Sequence, residues 1–100
     1  MKELFRIAID SVKEKESQVF CAEGHSVVVH KEEDVYYAFE NSCPHKQMEL
    51  HEGQIKNGVI TCPWHRFRYD LQSGLSLTNK QSELKIYRIQ AEAEQLVVYG

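Results

Sequence analysis

Proline is scarce in this 100-residue chain: there are two, and each directly follows a cysteine, at Cys43-Pro44 and Cys62-Pro63. Each ring biases the preceding cysteine toward extended backbone angles and stiffens the loop that carries it. Long apolar runs are missing too. None approaches the roughly 18 residues a spanning helix needs, so no membrane segment is expected. Met1 to Ile9 is only briefly apolar, interrupted by Arg6 and closed by Asp10, so no secretory leader is expected either. A basic excess is absent: 12 Lys and Arg against 15 Asp and Glu give a formal charge of −3. Phosphate binding wants a basic face, so nucleic acid is not an expected partner. Cysteine is sparse and odd in number, Cys21, Cys43 and Cys62, which argues against a disulfide framework and for metal ligation. A cytoplasmic location follows from that reading.

Helical periodicity is lacking at any length, and short strands broken by polar turns take its place. Leu4–Ile9, Gln18–Cys21, Ser26–His30, Val35–Phe39, Gln54–Lys56, Val59–Thr61, Phe67–Leu71, Leu75–Leu77, Lys85–Ile89 and Gln95–Tyr99 read as strands. Turns are expected at Ala22-Glu23-Gly24, in the charged Lys31–Asp34 segment, at Gln72-Ser73-Gly74 and over Glu92–Glu94. Asn57-Gly58 is the strongest hairpin signal, because both residues tolerate positive φ. The fold expected is an all-β antiparallel sandwich or small barrel forming one domain over residues 1–100.

Two short segments carry the chemistry. Cys43-Pro44-His45 and Cys62-Pro63-Trp64-His65 each offer one thiol and one imidazole, with sixteen residues between them. Such a set can hold iron or zinc. The Cys-His-Cys-His order and the β context do not match a zinc finger, whose histidines lie on a helix. Structural zinc stays open as the alternative. On the strand reading, each pair falls in a loop between strands, about residues 41–50 and 60–70, at one end of the scaffold.

Cys-x-His, this spacer and then Cys-x-x-His resemble the pattern of Rieske-type [2Fe–2S] ferredoxins, in which two histidines replace two cysteines on one iron. Glu52-Gly53 and Tyr69-Asp70 followed by Gly74 also match, and the resemblance covers nearly the whole chain. It implies a Rieske-like fold with a two-loop cluster-binding subdomain. Cys43 and Cys62 would hold one iron and His45 and His65 the other. Two ferric ions, two sulfides and two thiolates then sum to zero, which raises the potential toward the Rieske range of roughly −150 to +300 mV. The function implied is not catalysis but one-electron carriage, from a reductase to a terminal oxygenase or similar acceptor, by a monomer. A small subunit of a larger, nitrite-reductase-like enzyme is the alternative.

Several positions depart from the family pattern. Gln47 and Arg66 stand where glycine is usual; if positive φ there requires glycine, these loops are expected to follow a somewhat different path. Ser76–Lys80 lacks the proline loop that often covers the cluster. The extra cysteine pair of high-potential relatives is missing, and Phe67 replaces their serine. Tyr69 matches a tyrosine whose hydroxyl donates toward a ligand sulfur in those relatives. Lys46, Arg66 and Arg68 flank the ligands and are candidates to dock an acidic partner. Cys21 is expected to be a buried small hydrophobe. His25, His30 and His51 are expected at the surface or in hairpins, and Trp64 in packing around the site.

Overall fold

The computed structural model describes residues 2–43, 49–63, 66–78 and 83–100. Its strands, in chain order, are β1 (Glu3–Ala8), β2 (Ser17–Ala22), β3 (His25–Glu32), β4 (Val35–Glu40), β5 (Gln54–Lys56), β6 (Val59–Thr61), β7 (Arg68–Asp70), β8 (Ile86–Glu92) and β9 (Gln95–Tyr99). One 3-10 turn, Ile9–Ser11, is the only helical element among the described residues. Leu75 and Ser76 make only isolated bridges, to Glu83 and Tyr69, rather than the strand expected there.

Four hairpins close on two-residue turns with both residues at positive φ: Glu23-Gly24, Glu33-Asp34, Asn57-Gly58 and Ala93-Glu94. That geometry matches the right-handed twist of the flanking strands. Only Asn57-Gly58 uses favoured residues at both places; Glu23-Gly24 has one, its glycine. Elsewhere the strand pairing imposes it on glutamate, aspartate and alanine.

Six strands form one antiparallel sheet in the order β1-β9-β8-β4-β3-β2. Its two outer strands meet: the Phe5 and Phe20 rings lie 5.4 Å apart, and Lys2 Nζ reaches Glu23 Oε1 at 2.7 Å. The sheet is thus curled almost into a barrel, as expected. Its interior holds Val12, Val27, Val29, Ala38, Tyr87 and Val98. The remaining three strands, β5-β6-β7, form a second small sheet.

The period-two alternation of strands places the two units back to back. Along β3, Val27 and Val29 enter the barrel core, while Val28 joins a second core. β4 repeats this with Ala38 inward and Phe39 outward. The second core contains Phe39, Leu50, Ile60, Tyr69, Leu71 and Leu84, together with Cys43 and Cys62. β3 and β4 therefore form a wall with apolar packing on both faces.

His30 lies in that wall, on a hairpin strand as expected, but is 4% exposed rather than at the surface. Its Nδ1 is 2.6 Å from Ser17 Oγ on the neighbouring strand. Burial holds its pKa below the usual histidine value, against the pull of the Glu32 and Glu14 carboxylates. The unfolded chain thus takes a proton at higher pH than the folded one. Stability is full above about pH 6.5 and falls as pH drops from there toward the folded-state pKa. Urea midpoints measured from pH 8 down to 5 should fall more steeply for the wild type than for His30→Gln. Parallel curves would show that His30 carries no such linkage.

Candidate metal centre

β4 ends at Glu40, and the chain then runs through Asn41 and Ser42 to Cys43; β6 ends at Thr61, and Cys62 follows directly. Both cysteines are 0% exposed, both belong to one core with Tyr69, and neither takes part in a disulfide. The Tyr69 hydroxyl, also 0% exposed, sits 3.7 Å from Cys43 Sγ. Two thiols are thereby held out of water beside a phenol that can donate to a thiolate.

The second loop is closed by its own backbone. Cys62 N–H donates to the Phe67 carbonyl at 2.7 Å, and Arg66 N–H donates to the Cys62 carbonyl at 2.9 Å. Arg66 adopts φ +58°. The arginine itself thus takes the left-handed conformation that a glycine there would adopt freely. That choice costs about 1 kcal/mol for a residue with a Cβ, and the two hydrogen bonds of the closed turn offset it.

The first loop is tied by a residue that sequence reading missed. Asn41, 6% exposed, accepts at Oδ1 from both Leu50 N–H and His51 N–H, each at 2.8 Å. Its Nδ2 donates to Glu49 Oε2 at 3.3 Å and to Ser26 Oγ at 3.4 Å, and its backbone N–H donates to the Ser26 carbonyl at 2.9 Å. One side chain thus joins the start of the loop to its end, and both to β3. A short polar residue two places before a candidate ligand was the only available signal.

Two matched glycines acquire physical reasons. A Cβ on Gly53 would lie 2.7 Å from the Thr61 carbonyl, one residue before Cys62. Gly74 has φ +81°, and a Cβ there would lie 2.2 Å from the Leu84 carbonyl. Each lets a backbone approach too closely for any side chain.

The candidate ligands His45 and His65 lie outside the described residues, as do Pro44, Lys46, Gln47 and Trp64. Segment 76–78 is described and pairs beside β7, Leu77 N–H donating to the Arg68 carbonyl at 2.7 Å; Asn79 and Lys80 lie outside. Cys21 is exposed, correcting the buried assignment. It stands on β2, at the end of the six-stranded sheet, where Phe20 and Ala22 turn inward and Val19 and Cys21 turn out.

A family model described as Rieske [2Fe-2S] domain matches residues 4–88. The chain belongs to the Rieske [2Fe–2S] domain family. The ferredoxin component of the alkene monooxygenase system of Xanthobacter autotrophicus is 25% identical over 92 residues, covering 91% of this chain and 75% of that protein. The naphthalene 1,2-dioxygenase ferredoxin component of Pseudomonas aeruginosa is 24% identical over 93 residues, covering 92% and 89%. Among solved structures, the ferredoxin of carbazole 1,9a-dioxygenase from Nocardioides aromaticivorans superposes with a TM-score of 0.87 at 23% identity, covering 98% of this chain and 97% of that one. The near-barrel with its small second sheet is thus the Rieske fold.

The [2Fe–2S] cluster is the cofactor of Rieske domains, and the residues present here fit it. Such a site needs two thiolates shielded from water, and Cys43 and Cys62 are buried in one core on two separate loops. Tyr69 supplies a hydroxyl on the same side as Cys43, and hydrogen bonds to ligand sulfur are among the levers on potential.

Proposed function

We propose that this Rieske protein is a one-electron carrier, a monomer of the cytoplasm, that takes electrons from a reductase and passes them to a terminal oxygenase. The observation that supports this most is the pairing of two wholly buried cysteines on separate loops with the Tyr69 hydroxyl 3.7 Å from one of them. Cys43 and Cys62 would hold one iron, His45 and His65 the other. When bound, the cluster supplies reversible storage of one electron at nearly constant geometry. The chain's own part is to keep that geometry fixed. Asn41 ties the first loop, the Cys62–Phe67 and Arg66–Cys62 hydrogen bonds close the second, and the second core excludes water. The naphthalene and alkene relatives are components of oxygenase systems, which favours an oxygenase as acceptor.

Purified protein should show the absorption and EPR spectra of a mixed-ligand two-iron centre and titrate with one electron. It should also accept one electron from a reductase. A colourless protein with stoichiometric zinc would replace this reading with the structural one. Stable co-purification with a large reductase subunit would replace the free carrier with a bound subunit.

Tyr69→Phe removes the hydroxyl beside Cys43 and leaves the ring in place. The extra negative charge of the reduced state makes sulfur a better acceptor, so the hydrogen bond favours reduction. Taking that preference as about 0.5–1.5 kcal/mol, and about 59 mV per tenfold for a one-electron couple, the midpoint should fall by about 20–65 mV. Protein-film voltammetry of the two proteins checks it; an unchanged midpoint rejects the role.

A further inference from the structure

We propose that the outer face of the small sheet, continued by residues 75–77, is the docking surface for the electron acceptor, and that this acceptor presents acidic groups around an apolar patch. The proposal rests on the carrier reading above and adds to it where the partner sits.

Strand register defines the face. Gln54 pairs with Thr61 and Thr61 with Arg68, while Lys56 pairs with Val59 and Val59 with Asp70. The Tyr69–Ser76 bridge continues the pattern, setting Leu77 opposite Arg68 and Leu75 opposite Asp70. The intervening residues Ile55, Ile60, Tyr69 and Ser76 are buried or half-buried. Side chains alternate across a sheet, so two rows point outward: Gln54-Thr61-Arg68-Leu77 and Lys56-Val59-Asp70-Leu75. A shallow trough lined by Gln54, Lys56, Asn57, Val59, Thr61 and Arg68 lies on this face. A second, sharing Gln54 and Thr61, extends it past Cys62 to Pro63 and Arg66, with Glu52 on its edge.

Three observations on this face point to a protein partner. Leu75 and Leu77 are 53% and 51% exposed, the most exposed large apolar side chains among the described residues. Neighbouring outward leucines are costly to leave in water and are typical of recognition patches. Lys56, Arg66 and Arg68 make no ion pair among the described residues, as is also true of Lys13, Lys15, Lys85 and Arg88, but only here do such cations stand beside exposed leucines. Asp70 accepts from Gln72 N–H and Ser73 Oγ–H and forms no ion pair with Arg68. Exposed leucines beside Lys56, Arg66 and Arg68, with Asp70 and Glu52 the nearby carboxylates, form a patch of net positive charge on a chain of net charge −3, complementary to an acidic, partly apolar surface. Position completes the case: Thr61 and Arg68 on this face flank the loop that begins at Cys62, so a partner seated here lies a residue or two from a candidate cluster ligand.

The test uses dithionite-reduced protein, freed of excess dithionite and mixed in a stopped-flow instrument with the oxidised terminal oxygenase of the Nocardioides carbazole 1,9a-dioxygenase as probe. Lys56→Glu/Arg68→Glu should lower the second-order rate constant at low salt by about 10-fold, and the deficit should shrink as salt rises. Leu75→Ser/Leu77→Ser should raise the half-saturating oxygenase concentration about 10-fold at either salt. Visible spectra should stay those of the wild type, rates are compared after correction for each variant's own midpoint, and Arg88→Glu on the barrel should transfer at the wild-type rate. Face variants as fast as wild type, or Arg88→Glu as slow as Lys56→Glu/Arg68→Glu, overturn the proposal. A reduced wild type that passes nothing to the oxygenase overturns the acceptor assignment. A wild type that accepts no electron from dithionite instead sinks the carrier reading itself.

Discussion

Asn41→Ala should lower the thermal midpoint by about 10–20 °C and yield protein with much less bound iron. Asn41 Oδ1 accepts from two backbone donors, Leu50 N–H and His51 N–H. Leu50 is 0% exposed, so water does not readily replace the lost acceptor there. A buried donor left unmade costs about 1–3 kcal/mol. His51 lies nearer solvent and adds less, so a total of about 2–3 kcal/mol is expected. Because the side chain joins both ends of the first loop, the damage falls where Cys43 must be held. Asn41→Asp separates the two contributions. It keeps the acceptor for both N–H groups but sets a second carboxylate against Glu49, so it should recover most of the stability at low pH and less of it at neutral pH. If Asn41→Ala melts and binds iron like the wild type, the tie across the loop carries no weight.

Gly74→Ala and Gly24→Ala make a matched pair with very different outcomes. The two glycines have nearly the same φ, +81° and +83°. Around Gly24 an added Cβ meets nothing within 4 Å. Its substitution therefore carries only the left-handed penalty of about 1 kcal/mol. At Gly74 the Cβ would stand 2.2 Å from the Leu84 carbonyl and 3.0 Å from Ile86 Cγ1. Relief requires breaking the Leu84 N–H to Gly74 carbonyl bond and moving Leu84 out of the second core. A loss of about 4 kcal/mol or more is expected, enough to unfold much of a domain with the usual 5–15 kcal/mol of stability. Denaturant titration of both variants checks this. Equal midpoints would mean that the crowding around Gly74 relaxes at no cost.

Much of this was legible in the residues themselves. Hairpin β5–β6 falls where Asn57-Gly58 and the flanking alternation put it, because turn chemistry and side-chain period agree there. Gln95–Tyr99 matches its strand through its run of Leu, Val and Tyr, although its turn, Ala93-Glu94, carries no favoured residue. Leu75–Leu77 does not become a full strand: it alternates like one, but Gly74 ties its start to Asp70 and Leu84, leaving two isolated bridges. The burial of Cys21 and of His30 was misjudged from residue type alone. Burial here follows position in the sheet order, an end strand for one and a wall covered on both faces for the other. Asn41 was invisible because its role depends on residues eight to ten places on, brought back by a loop. Arg66 shows the limit of reading glycine as a requirement, since the loop's own hydrogen bonds force positive φ on an arginine.

The sharing of β3 between two cores has a bearing on the protein's life in the cell. Val28 belongs to the compartment that holds both cysteines, and Val27 and Val29 to the other. One strand cannot loosen on one side and stay rigid on the other. Metal loading and integrity of the whole domain would then be linked, since free energy gained at the site is also gained by the fold. A chain that loses its metal would open more often and offer itself to proteases. The amount of this protein would then track iron supply without any dedicated sensor.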